Sequence, residues 1–227
     1  MRTVGLAFVL FLLSMAPASG QPDRTVLLGR SVEGRAITAV EVGDPGGTRI
    51  LVVGCIHGNE PAGIAVAQRL ARLAPAGIDL WIVPDLNPDG RLAGTRGNAH
   101  GVDLNRNFPF RWHRLGGVFF SGPRPLSEPE ARIAYRLILR LRPTVSVWFH
   151  QHLNLVWGSG GNVALERRFA RISGLPYRRL PALRGSAIDW QNHRLPGTTA
   201  FAAELPAGAA TPRAVERYVR AVLALGR

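Results

Sequence analysis

LVVGCIHGNEPAG, residues 51–63, carries the pattern that decides the fold of this chain. Its apolar run is typical of a buried strand, and residues 61–73 have the spacing of an amphipathic helix. His57 and Glu60 stand where the strand meets the helix, and Asn59 is placed to cap that helix. An imidazole and a carboxylate three residues apart can be two ligands of a metal ion. A capped turn with a satisfied histidine explains the same spacing.

The alternation of apolar and amphipathic segments extends along most of the chain. Strands are predicted at 37–42, 49–56, 80–84, 145–149 and 199–205, and helices at 61–73, 128–141, 163–172 and 212–225. Ser127 and Glu130 are spaced as a capping box for the second helix, and Thr211 precedes the last. The alternation predicts an α/β fold, a three-layer α/β/α sandwich around a mixed, largely parallel central sheet.

Residues 1–20 have the pattern of a secretory signal peptide. Arg2 precedes an apolar run over residues 4–15, which is shorter than a membrane span, and small residues follow it. We therefore expect a signal peptide over 1–20, a single domain over 21–227, and a secreted, periplasmic or extracellular protein. No stable membrane span is expected after cleavage, although retention of the segment as an anchor stays open.

The composition makes several functional classes unattractive. The 227-residue chain has a net charge of +13, and all 28 of its basic residues are arginine. The arginines are scattered without a recognisable nucleic-acid module, so we expect attraction to anionic surfaces but no nucleic-acid partner. The single cysteine, Cys55, excludes an internal disulfide and is expected to be a small buried side chain rather than a nucleophile.

A second stretch, residues 85–109, is crowded with Asp, Asn, Gly and Pro and predicts a long surface loop after a strand. It contains arginines at 91, 96 and 106 and amides at 87, 98, 105 and 107. Arginine binds a carboxylate in bidentate fashion, and asparagine adds a further hydrogen bond. The stretch is therefore either a carboxylate-binding segment or a polar surface loop.

The motifs HGNEP, NPDG and GVDLNRNF, in this order, resemble those of the zinc metallocarboxypeptidases, the carboxypeptidase A-like enzymes. The resemblance continues through SVWFHQHLNLV, GSAIDW and AFAAELPAG and covers about residues 25–225. Within the family, the small size of the chain and the sequence of this loop resemble those of bacterial murein peptide amidases, which cut γ-D-glutamyl–diaminopimelate bonds. The resemblance implies a zinc peptidase domain over 21–227 with one Zn²⁺ per chain.

The resemblance also implies which residues surround the metal. His57 and Glu60 match the first two zinc ligands, and His150, which directly follows a predicted strand, matches the third. His152 is a rival, because positions i and i+2 of an extended chain share a face. Asp103 matches the carboxylate that orients the first zinc-binding histidine.

The remaining matches concern the substrate and the reaction. Glu204 matches the general base, and a carboxylate that ends an apolar strand is costly to bury unless it is paired or functional. Arg96 matches the arginine that polarises the scissile carbonyl, with Arg91 as an alternative. Asn105 and Arg106 match the residues that bind the terminal carboxylate of a substrate.

One departure from the family concerns the region before the GSAIDW stretch. Pancreatic-type members carry a mobile capping tyrosine there, but residues 178–185 contain none, and Tyr177 comes too early. In the family this region lines the specificity pocket. Ile188 would suit an apolar side chain, whereas Arg184 or Arg179 could meet a carboxylate such as that of diaminopimelate.

Together these features predict a secreted, monomeric zinc metallopeptidase of carboxypeptidase type. Its expected partner is a cell-wall peptide, in which it hydrolyses a peptide bond or a γ-D-glutamyl–diaminopimelate amide bond. An aspartoacylase-like deacylase of N-acyl amino acids also uses H-x-x-E and D-L-N-R, although the NPDG stretch and the signal peptide favour the peptidase. A non-catalytic wall-binding protein is the second alternative.

Overall fold

The computed structural model describes residues 24–158 and 160–226, so the predicted signal peptide at 1–20 lies outside the described residues. Eight strands form its central sheet: β1 (Arg24–Arg30), β2 (Ala36–Gly43), β3 (Thr48–Val53), β4 (Ile78–Val83), β5 (Val145–Gln151), β6 (Leu155–Gly158), β7 (Tyr177–Arg179) and β8 (Thr199–Leu205). Their order is β1-β2-β4-β3-β5-β8-β6-β7. The four central strands, β4, β3, β5 and β8, are parallel, whereas β1, β2 and β6 pair antiparallel with β2, β4 and β8.

Helices cover both faces of this sheet. They are α1 (Ala62–Leu70), α2 (Pro88–Ala93), α3 (Pro129–Leu141), α4 (Val163–Ser173), α5 (Ala187–Arg194) and α6 (Pro212–Leu223). One apolar core joins the sheet to α1, α4 and α6, and the other joins it to α3 and α5. Neighbouring residues of β5 divide between them, because Phe149 belongs to the first core and Trp148 to the second. The predicted three-layer α/β/α sandwich is confirmed.

The helix starts differ from two of the predictions. Glu130 is fully buried and accepts the Val32 backbone N–H at 3.0 Å, so the predicted capping box with Ser127 is wrong. The Glu130 side chain that a capping box requires is instead bound to the backbone of Val32. The predicted Asn59 cap is also wrong, since α1 begins after Pro61 and no side chain caps it. The predicted start of α6 is confirmed, because Thr211 accepts the Ala214 backbone N–H at 3.3 Å.

The stretch at 85–109 is more ordered and more buried than a surface loop. It contains α2 and a 3₁₀ turn at Leu104–Arg106. Several of its polar side chains are buried: Asn87, Asp89, Asn98, Asp103, Asn105 and Asn107. Asn87 Oδ1, for example, accepts the Gly90 backbone N–H at 3.0 Å and caps α2. The prediction of a surface loop is therefore wrong, because internal hydrogen bonds allow these amides to be buried.

The strand order creates a switch point between β3 and β5. The chain leaves β3 through α1 to reach β4 on one side, while β5 lies on the other side of β3. Binding crevices of open α/β sheets form beyond the carboxyl ends of strands at such points. No helix in residues 24–158 and 160–226 is long and apolar enough to cross a membrane.

Candidate active site

Three candidate metal ligands converge at the carboxyl ends of β3 and β5. His57 Nδ1 lies 2.9 Å from Glu60 Oε2, His150 Nδ1 lies 3.1 Å from the same oxygen, and the two Nδ1 atoms are 3.2 Å apart. All three residues are buried. Ligand atoms placed tetrahedrally around zinc are separated by roughly 3.3 Å. The triangle therefore has the size and the donor chemistry that a zinc ion requires.

The charges at this triangle suit a cation. Burial acts to raise the pKa of Glu60, but the adjacent His150 and His57 imidazoles hold it well below its usual range. Burial acts to lower the pKa of His57, and the neighbouring Asp103 and Glu60 outweigh this and raise it. An ionised carboxylate thus lies beside two imidazole nitrogens at the point where a metal ion would sit.

Asp103 fixes the orientation of the His57 ring. Its Oδ1 lies 3.0 Å from His57 Nε2 and also accepts the Asn105 backbone N–H at 2.9 Å. Arg96 Nε donates to the other carboxylate oxygen at 2.9 Å. A carboxylate at Nε2 selects the tautomer whose Nδ1 lone pair faces the candidate metal position. The structure thus places Asp103 where the resemblance expects it.

The structure separates the two candidates for the third ligand. His150 lies in β5 with its ring in the triangle, whereas His152 is exposed and lines the adjoining cavity. β5 ends at Gln151, so His152 has left the strand, and the same-face relation of positions i and i+2 no longer applies.

A cavity of about 560 Å³ opens onto the candidate ligands. Five further predicted residues line it: Arg96, Asn105, Arg106, Ile188 and Glu204. Glu204 pairs in register with His150 across β5 and β8, and its side chain is buried. Among the described residues its carboxylate has one hydrogen bond, a 3.5 Å contact with the Leu153 backbone N–H, and no ion pair. Glu204 is therefore a buried carboxylate that faces the cavity with a free proton-accepting site.

The predicted arginines occupy different environments. Arg96 Nη1 donates to Glu60 Oε1 at 2.8 Å, so this guanidinium bridges Glu60 and Asp103. Arg91 forms its ion pair with Asp85, and within the described part of the chain it is not among the residues that line the cavity. The structure thus places Arg96, and not the alternative Arg91, at the site.

Arg106 is partly buried and has no carboxylate partner among the described residues. Its Nη1 donates to the Asn105 backbone carbonyl at 2.8 Å, and burial lowers the pKa of its guanidinium. The neighbouring Asn105 Oδ1 accepts the Ala187 backbone N–H at 2.9 Å, which leaves the NH₂ of this amide as a donor. A partly buried cation without an ion pair of its own favours an anion in the cavity.

The structure does not bring Arg184 to the site. Its side chain is exposed, and neither Arg184 nor Arg179 is among the described residues that line the cavity. Gly185 is held by backbone hydrogen bonds of 2.9 Å to Phe108 and Phe110, which leaves Arg184 facing solvent. The predicted contact of Arg184 with the substrate is therefore not supported, whereas Ile188 is buried against the cavity.

Two other expectations concern Tyr177 and Cys55. Tyr177 donates its hydroxyl to Glu166 Oε2 at 2.8 Å and, among the described residues, does not line the cavity. Cys55 is fully buried, as predicted, with Sγ 3.1 Å from the His57 carbonyl oxygen. Burial raises the pKa of this thiol, which disfavours the thiolate that a nucleophile needs.

Sequence reasoning missed several residues of the cavity wall: Phe119, Gln151, Leu153, Trp157 and Leu183. Gln151 connects the site to its surroundings, because its Oε1 accepts the Ala62 N–H at 2.9 Å and its Nε2 donates to Gly208 O at 2.8 Å. Phe119 ends the segment GGVF at 116–119. An aromatic residue two positions after a pair of loop glycines was the available signal.

Comparisons with known proteins agree with this geometry. A model of the zinc carboxypeptidase family matches residues 15–161. Murein peptide amidase A of Escherichia coli K12 is 36% identical over 118 residues, which are 45% of this chain and 49% of that protein. The chain thus matches about half the length of this relative. Carboxypeptidase SOL1 of Arabidopsis thaliana is 30% identical over 146 residues, 56% of this chain and 29% of that protein.

Solved structures show the same fold. Murein-tripeptide amidase MpaA from Escherichia coli O157 superposes with a TM-score of 0.73 and 27% identity, covering 92% of this chain and 94% of that one. Carboxypeptidase A from Helicoverpa armigera gives a TM-score of 0.76 at 20% identity, covering 90% and 67% of the two chains, and shows the fold alone. Together with the family match over residues 15–161, this shows that the chain belongs to the zinc carboxypeptidase family.

Proposed function

We propose that this protein is a zinc-dependent hydrolase of carboxypeptidase type that cuts an amide bond next to a free carboxylate. One observation carries the proposal. A single cavity is lined by the His57, Glu60 and His150 triangle, by the buried carboxylate of Glu204, and by Arg106, which has no ion pair among the described residues. Hydrolysis of such an amide needs a metal, a proton acceptor and a carboxylate-binding cation, and this cavity contains groups suited to each task.

His57, Glu60 and His150 would hold the metal ion. When bound, zinc supplies a Lewis acid that polarises an amide carbonyl and makes water a better nucleophile at neutral pH. Glu204, without an ion-pair partner in the described part of the chain, takes a proton from the attacking water and delivers it to the departing amine.

The arginines divide the binding of the substrate between them. Arg106 and the Asn105 amide bind the carboxylate of the leaving residue, because a charged hydrogen bond to an otherwise unpaired cation is strong. Arg96 is held by Glu60 and Asp103 at the edge of the cavity and assists in polarising the scissile carbonyl.

A peptidoglycan-derived peptide, cut at its γ-D-glutamyl–diaminopimelate bond, is the leading substrate. The similarity to murein peptide amidase A and to the murein-tripeptide amidase structure supports this choice. The near carboxylate of diaminopimelate supplies the anion that Arg106 lacks.

A second candidate substrate is a peptide that ends in an apolar residue. Ile188, Trp157, Leu183 and Ala202 form an apolar part of the cavity wall. A side chain on the leaving residue would bury apolar surface there. This observation favours an apolar side chain on the leaving residue as the alternative to diaminopimelate.

We further propose that the protein is exported as a monomer. The n-region, apolar run and small residues within 1–20 support export through a signal peptide. A wall-derived substrate would be met outside the cytoplasmic membrane, which is consistent with that route.

Hydrolysis assays on the purified mature protein test the proposal. The substrates are a murein tripeptide, an N-acyl dipeptide with an apolar C-terminal residue, their forms amidated at the near carboxylate, and an N-acyl amino acid. We expect chelator-sensitive cleavage of at least one of the first two, with kcat/KM strongly depressed by amidation. Cleavage of the N-acyl amino acid alone would indicate a deacylase, and zinc binding without any cleavage would indicate a non-catalytic protein.

A further inference from the structure

Phe119 is a large apolar side chain that neither core explains. It is 45% exposed, lines the cavity, and is not among the described residues that form the two apolar cores. Its neighbour Val118 is 71% exposed and, within the described chain, does not line the cavity. Hydrophobic burial therefore does not account for the position of the Phe119 ring.

The ring of Phe119 lies against both arginines of the cavity. The Arg96 guanidinium carbon is 5.4 Å from the ring centroid, and that of Arg106 is 5.3 Å away. Both distances fall within the range in which the negative face of an aromatic ring attracts a cation. Phe119 is thus a shared neighbour of two positive charges that repel each other.

The two arginines differ in how much else holds them. Arg96 is fixed by carboxylates at two points, Glu60 and Asp103. Arg106 has the Asn105 carbonyl and the Phe119 ring, but no ion pair in the described chain. The position of the Arg106 guanidinium therefore depends on Phe119 more than that of Arg96 does.

The backbone of the turn at Gly117–Phe119 fixes the position of this ring. Phe119 ends a 3₁₀ turn at Gly117–Phe119, where Gly117 has a φ of 61° that favours glycine. The next residue, Phe120, accepts the Asp103 backbone N–H at 2.8 Å through its carbonyl. The turn is thereby attached to the residue that orients His57.

We propose that Phe119 is a positioning residue for recognition of the substrate carboxylate. Its ring holds the Arg106 guanidinium toward the cavity and partly replaces the water that this cation has lost, until a carboxylate binds. The proposal rests on the proposed function for the role of Arg106 and adds a specificity-determining residue to it. Phe119 has no hydroxyl group, so it takes no part in proton transfer.

Binding measurements in a Glu204→Gln background test this role without turnover. The ligands are an N-acyl-alanyl-leucine peptide and its C-terminal amide. Calorimetry on the zinc-loaded protein measures the affinity for each. Phe119→Leu keeps apolar bulk but removes the aromatic face, and Phe119→Trp keeps an aromatic face. Val118→Ala, on the same turn, is the matched control.

We expect Phe119→Leu to bind the free-carboxylate peptide about fivefold more weakly, the size of one cation–π contact to Arg106, with little change for the amide. Phe119→Trp and Val118→Ala should stay within about twofold of the parent. The ratio of the affinities for the free-carboxylate peptide and the amide decides the question, since a merely structural role would weaken the binding of both peptides equally.

Two results would overturn the proposal. One is an unchanged carboxylate preference in Phe119→Leu, and the other is an equal loss for both peptides. Hydrolysis by the protein with Glu204 intact is scored separately. If neither candidate substrate is cleaved while the carboxylate preference still depends on Phe119, the proposed function fails and the positioning role stands.

Discussion

Two groups of polar side chains contain buried carboxylates and differ in how these are satisfied. The metal-site cluster comprises His57, Glu60, Asp103 and His150, and the support cluster comprises Asn98, Glu128, Glu130 and the exposed His100. Each contains two carboxylates, and each receives a residue from the segment 85–109. By residue type alone, either could be taken for a metal site.

Donors occupy the oxygens of the support cluster. Asn98 Nδ2 donates to Glu128 at 2.8 Å and to Glu130 at 3.0 Å, while the Val32 N–H reaches the second Glu130 oxygen. His100 Nδ1 lies 2.7 Å from Glu128. The Asn98 amide at the centre of this cluster satisfies the two carboxylates with its N–H groups, as a cation would otherwise do.

In the metal-site cluster the lone pairs face one another instead. The two Nδ1 atoms and Glu60 Oε2 are all within 3.2 Å, and at most one hydrogen can stand between two neutral imidazole nitrogens. The comparison teaches that a buried carboxylate alone does not indicate a functional site. Acceptors that converge and outnumber their donors do. Glu60 Oε2 accepts the Gln151 backbone N–H at 3.1 Å, but the two facing imidazole nitrogens share at most one hydrogen, and a cation satisfies all three atoms.

The largest expected effect is loss of the metal. His150→Ala removes one of three ligands and should reduce bound zinc from one per chain to near zero, whereas His152→Ala should retain it. Elemental analysis of the two purified variants measures this directly. Zinc retained in His150→Ala and lost in His152→Ala would show that His152 is the third ligand, and the metal-site cluster would then be wrongly composed.

The next effect concerns Glu204, which faces the same cavity. Glu204→Gln keeps the size of the side chain but cannot accept a proton, so turnover should fall by about two to four orders of magnitude. Bound zinc should remain at one per chain. Glu216→Gln, at a surface ion pair with Arg69, is the matched control and should have normal turnover. A Glu204 variant with normal rates would exclude this residue as the base.

A smaller effect is expected in the support cluster. Asn98→Ala removes the donor shared by Glu128 and Glu130 and should lower the free energy of unfolding by about 2–4 kcal/mol. Denaturant titration measures this, and the folded variant should still bind one zinc. Asn59→Ala, at an exposed amide, should stay within about 0.5 kcal/mol of wild type. Loss of zinc in the Asn98 variant would show that the clusters are not independent.

The smallest effect is a change in acid stability. Burial acts to raise the pKa of Glu128, but hydrogen bonds from Ser127, Asn98 and His100 lower it below its usual range. Its stabilising contribution is therefore complete above the unfolded pKa of about 4.3 and is lost as the pH falls through the lower folded value.

Glu128→Gln removes this titration. Between about pH 5 and pH 3, its unfolding free energy should fall less than that of the wild-type protein. Chemical denaturation at several pH values compares the two slopes. If the unfolding free energies of the two proteins change equally with pH, the hydrogen bonds to Glu128 do not stabilise the folded protein.

The sequence predicted the parts of this molecule that depend on local pattern. The central strands are apolar runs, and β8 has the predicted bounds of Thr199–Leu205. β7, by contrast, is Tyr-Arg-Arg and is held by backbone pairing to β6, so no hydrophobic pattern marks it. α5 was also missed, although Ser186 and Asp189 have the spacing of an N-cap, and Ser186 does accept the Asp189 N–H.

The site divides in the same way. His57, Glu60 and His150 follow from motifs and from the ends of strands, which the apolar pattern locates. Arg184 and Phe119 do not, because their positions depend on how two loops pack around Arg106. Loop packing is a tertiary property that residue spacing does not encode.

β8 is made last among the strands but lies between two earlier ones, β5 and β6. A polypeptide that stops before residue 199 would carry His57, Glu60 and His150 but lack Glu204. Its sheet would also lack the strand that joins β5 to β6, so the candidate metal ligands and the candidate base depend on different lengths of chain.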